Sequence, residues 1–78
     1  MKKMRFIISG KVQGVGYRAW FYREAEKLGI TGTAVNRDDG TVEIVLSGPS
    51  DAVKGMISHI RFGPPAAHVT HVESIVLE

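Results

Sequence analysis

Seventy-eight residues give one domain, 1–78, with room for a single small core, since a chain of this size buries only about 60–65% of its unfolded surface. Apolar residues make up 44%, which excludes wholesale disorder, and the absence of cysteine excludes disulfides, thiolate catalysis and cysteine-held metals. Net charge is only +2, yet six of the ten basic residues (Lys2, Lys3, Arg5, Lys11, Arg18 and Arg23) precede Glu24, the first acidic one. A positive N-terminal third suits an anionic ligand, although a solvated basic surface has the same composition.

In chain order, residues 4–9 have the β-branched and aromatic character of a strand, ending at Gly10. The basic start before them leads only into Phe6-Ile7-Ile8, too short for the core of a signal peptide, and no apolar run is long enough to cross a membrane. A cytoplasmic protein is expected. The next segment, Gly10-Lys11-Val12-Gln13-Gly14-Val15-Gly16-Tyr17-Arg18, is a glycine-rich turn into a helix. Such a turn leaves backbone N–H groups without carbonyl partners, the helix N-terminus adds partial positive charge, and Arg18 adds a planar cationic fork for two anion oxygens. It is neither a Walker loop nor a dinucleotide fingerprint, because no Gly-Lys-Ser/Thr closes it and the third glycine of G-x-G-x-x-G is missing. Alone, it leaves open both an anion cradle and a turn that is glycine-rich for steric reasons.

A helix is predicted from Tyr17 to Leu28, with Tyr17, Phe21, Ala25 and Leu28 on one stripe and Gly29 as its C-terminal stop. Trp20 and Tyr22 flank that stripe, where they serve as a ligand platform or, more commonly, pack at the sheet edge. Residues 32–36 and 41–47 alternate as two strands joined through Arg37-Asp38-Asp39-Gly40, and Asp-Gly is a strong hairpin signal. Adjacent Asp38 and Asp39 read as turn formers rather than a catalytic pair. Ser50 is the expected N-cap of a second helix with Val53, Ile57 and Ile60 inward, costed by Gly55 and stopped by Phe62-Gly63-Pro64-Pro65. The last strand, 68–77, slips phase between Val69 and Val72, which predicts a bulge. His68 and His71, three apart, would face opposite sides of a regular strand, and no third ligand has convincing spacing, so no metal is expected. The order β-α-β-β-α-β predicts an α+β, ferredoxin-like split βαβ sandwich: a four-stranded antiparallel sheet with two helices on one face.

Two of these segments resemble the acylphosphatase family. Its Gly-x-Val-Gln-Gly-Val-x-Phe-Arg loop is matched by residues 10–18, and its Gly-x-x-x-Asn-x-x-Asp-Gly-x-Val-Glu hairpin by residues 32–43. Phe62 to Val69 is similar to the family's Gly-Pro-x-x-Ala-x-Val stretch. The resemblance implies hydrolysis of the carboxyl–phosphate bond of small acyl phosphates, without metal or cofactor. It implies that Arg18 binds the phosphate with loop amides from Gln13, Gly14, Val15, Gly16 and Tyr17, and that Asn36 positions the attacking water. A phosphate oxygen of the substrate would take the proton of that water. Tyr17 replaces the commoner phenylalanine, and Thr33 and Val35 replace an aromatic and a basic residue near Asn36. A monomer is expected. The alternative is a non-catalytic anion- or nucleic-acid-binding module. RNA-recognition domains share this strand order, but they stack bases on aromatics of the first and third strands, and here only Phe6 is available.

Overall fold

A computed structural model describes all 78 residues. Six elements follow in order: β1 (Lys2–Lys11), α1 (Tyr17–Leu28), β2 (Thr31–Asn36), β3 (Val42–Gly48), α2 (Ser50–Phe62) and β4 (His68–Val76). The strands form one antiparallel sheet in the order β2-β3-β1-β4. The expected fold is therefore present, and the two best-alternating strands are the central ones.

Alternation decides which face is covered. Met4, Phe6 and Ile8 of β1 pair with Leu46, Ile44 and Val42 of β3, and all six side chains are buried. Phe21 and Ala25 of α1 join them beneath the sheet with Val53, Met56 and Ile60 of α2. Burial of one large apolar side chain contributes about 1.5–3 kcal/mol, so these few layers carry most of the stability. Phe6 is 1% exposed, so the lone aromatic of the central strands is core and unavailable for base stacking. The opposite face, with Arg5, Ile7, Glu43 and Val45, is only partly covered, and Arg5 pairs there with Glu43.

Three local details depart from the sequence expectation. Leu28 and Ile57 lie at the rim of their stripes; in α2 the inward row is Val53, Met56 and Ile60, because Met56 faces the sheet squarely. Pro49, not Ser50, occupies the N-cap of α2, its carbonyl accepting the Val53 N–H at 3.0 Å, and no side chain caps that helix. The bulge falls where predicted, between Val69 and Val72: Ser9 pairs with His71 and Gly10 with Val69, leaving Thr70 as the extra residue. It reverses the expectation for the histidines, since His68 and His71 now stand opposite Lys11 and Ser9 and share the uncovered face. Gly10 permits this close crossing, because a Cβ there would lie 2.1 Å from the His68 carbonyl oxygen.

Candidate active site

The turn between β1 and α1 is held from below by Val12, which is 1% exposed, and bends through Gly14 and Gly16 at φ 73° and 79°. That left-handed conformation, with open space where each Cβ would lie, favours glycine and clears the approach to the backbone. None of the backbone N–H groups from Gln13 to Ala19 finds an acceptor in the protein. Gly16 is the N-cap of α1 without a side-chain cap, and the first turn holds no acidic residue. The donors and the positive end of the helix dipole are both left free.

Arg18 stands in that first turn, exposed, with neither an ion pair nor a hydrogen bond to any other side chain. Asn36 ends β2, and its side-chain amide is likewise unengaged. It follows Ala34 by two residues and so shares the helix-bearing face of the sheet. Arg18 and Asn36, distant in sequence, line one pocket of about 200 Å³ together with Gly14, Gly16 and Ala19. A wider hollow of about 460 Å³, lined by polar residues, shares Asn36 with it and is bordered by Arg37, Asp38 and Asp39.

Among the remaining candidates, Asp39, Tyr17 and Trp20 have structural partners. Asp39 accepts from the Thr41 N–H at 3.0 Å and the Thr41 hydroxyl at 2.6 Å, and the hydroxyl bond chiefly holds its carboxyl below the usual range. Asp38 and Asp39 are turn residues. Thr33 and Val35 lie on the face of β2 opposite Asn36, which removes them from the pocket wall. The Tyr17 hydroxyl donates to the Ile60 carbonyl at 2.6 Å, and burial pushes its pKa far up. Its ring meets Trp20 edge-on at 5.2 Å, so Trp20 is packing rather than a ligand platform. Two side chains were not legible as bridging groups. Gln13 donates through Nε2 to the Arg37 and Thr41 carbonyls at 2.8 and 3.0 Å, and the Tyr22 hydroxyl accepts the Ala34 N–H at 3.0 Å. Both join segments far apart in the chain, and no local spacing announces them.

Fold and site together define a small α+β sandwich with a run of unpaired backbone N–H groups and an unpaired arginine at its first strand-to-helix turn. The acylphosphatase family model matches residues 4–78, and the chain belongs to that family. It is 49% identical over 75 residues to an acylphosphatase of Azorhizobium caulinodans, covering 96% of this chain and 81% of that protein. The crystal structure of acylphosphatase from Bacillus subtilis superposes with a TM-score of 0.94 at 38% identity, over 97% of this chain and 84% of that one. An acylphosphatase structure from Coxiella burnetii gives 0.93 at 34% identity, over 99% and 81%.

Proposed function

We propose that Arg18 and the free N–H groups of the Gln13–Ala19 turn hold the phosphoryl group while Asn36 places the attacking water. As an acylphosphatase, the chain hydrolyses acyl phosphates to a carboxylate and inorganic phosphate. The observation that carries the residue roles is the unpaired Arg18 beside a run of unpaired amides, in the same pocket as Asn36.

The chemistry asks for little else. An acyl phosphate is a mixed anhydride whose leaving carboxylate has a conjugate acid of pKa about 4, so nothing need protonate it. Water attacks phosphorus, the bond to the acyl oxygen breaks with its electron pair staying on the carboxylate, and a phosphate oxygen takes the proton. What remains is positioning and neutralising charge spread over the phosphoryl oxygens. Arg18 and the amides supply the second. The Asn36 amide both donates and accepts hydrogen bonds, which suits it to orient a water.

Hydrolysis of benzoyl phosphate, followed by its ultraviolet absorbance with EDTA present, tests this reading. Arg18→Ala is expected to lower kcat/KM by about 10³-fold and Asn36→Ala to lower kcat by about 10²-fold, with both variants folded by circular dichroism. A folded Arg18→Ala protein that keeps the wild-type rate sinks the assignment of Arg18.

A further inference from the structure

Arg18 and Asn36 sit on different elements, and Asn36 ends an edge strand, which has a neighbour on one side only. Two side chains bridge the gap, one on each side of Asn36. From the turn, Gln13 spends both N–H bonds of its amide on the carbonyls of Arg37, the next residue after Asn36, and of Thr41. From α1, the Tyr22 hydroxyl accepts the N–H of Ala34, two residues before Asn36.

Spacing gives these bonds a function. Tyr22 follows Arg18 by one helical turn, a rise of about 6 Å, and Asn36 follows Ala34 by two strand residues, about 6.7 Å. Helix α1 and strand β2 run in opposite directions across the Gly29–Ile30 turn, so pinning Tyr22 at Ala34 brings Arg18 abreast of Asn36. We propose that Gln13 and Tyr22 are positioning residues, a two-point brace that fixes Asn36 against the phosphate cradle. The proposal rests on the roles given above to Arg18 and Asn36. The Tyr22 arm of the brace acts on the water and leaves the cradle, built of backbone and Arg18, as it is.

The test compares wild type with Tyr22→Phe, which removes only the hydroxyl, and Gln13→Met, which keeps the shape without the donors. For each, kcat on benzoyl phosphate, the inhibition constant of inorganic phosphate and the melting temperature are measured, and Tyr22→Phe is repeated in an Asn36→Ala background. Misplacing a reacting group by about 1 Å costs up to 10²-fold, so each single variant should lose about 10-fold in kcat. For Tyr22→Phe, which lies outside the turn, phosphate inhibition should stay within about twofold, because the cradle's donors remain. In the Asn36→Ala background Tyr22→Phe should cost nothing more. An unchanged kcat overturns the proposal. So does a Tyr22→Phe phosphate affinity that falls in step with kcat, or a full Tyr22→Phe loss in the absence of Asn36. The Asn36→Ala protein by itself separates the two levels: wild-type kcat there refutes the role of Asn36, whatever the brace variants do.

Discussion

The two helices begin in opposite ways. Helix α1 opens on Gly16 in the left-handed region, with no acid in its first turn and an unpaired arginine at its second residue. Helix α2 opens on Pro49 at φ −58° and ψ 143°, with Asp51 in the first turn. Each N-terminus carries the same partial positive charge and the same orphan donors. In α2 the Asp51 carboxylate in the first turn answers that charge, although no side chain caps the helix. In α1 nothing in the chain answers it, so the charge is available to a ligand. A helix end with no acidic residue beside it costs some stability, and this chain accepts that cost at only one of its two helices.

Exchanging the two solutions gives the largest effect. Ala19 lines the pocket in the first turn of α1, so Ala19→Asp places a carboxylate where the phosphate would bind. It should weaken inhibition by inorganic phosphate at least about 10-fold while holding or raising the melting temperature, because the helix dipole gains a partner worth about 0.3–1 kcal/mol. A variant that binds phosphate as well as wild type would dissociate the cradle from the helix end. Next comes Tyr17→Phe, which gives this turn the commoner family residue. Tyr17 supplies a hydrogen-bond donor to a carbonyl in the last turn of α2, so the start of one helix caps the end of the other. Chemical denaturation should register a loss of about 1–2 kcal/mol, with phosphate affinity unchanged. The smallest effect is expected from Asp51→Asn: about 0.3–1 kcal/mol of stability at low salt, vanishing in high salt, and no change in turnover. Altered turnover in Asp51→Asn would mean the two helix ends are coupled.

Much of this was legible because it is local. The period-two pattern of Val42, Ile44 and Leu46 names both the strand and its buried face, and the Asp39-Gly40 turn places the hairpin. The bend itself was legible too, since Gly14 and Gly16 at a strand-to-helix turn permit the left-handed backbone that leaves the amides free. The missed details depend on distant contacts. Met56 displaces Ile57 because the tilt of α2 on the sheet is set by tertiary packing, and Pro49 takes the cap because its carbonyl already serves Val53. The phase slip around Thr70 was readable, but its effect on His68 and His71 emerged only from the pairing with β1. Gln13 shows the same limit: its backbone belongs to a recognisable motif, whereas its side chain reaches residues 24 and 28 positions away.

The Tyr22 hydroxyl has one more consequence. Strand β2 is a sheet edge without lysine, proline or bulge, and Val35 on it is 52% exposed. Such an edge invites a strand from another molecule to add on, which is a common route to aggregation. By taking the Ala34 N–H, Tyr22 withholds a donor from that invitation. Solubility of the protein at high concentration is therefore written partly into a helix residue that never enters the sheet.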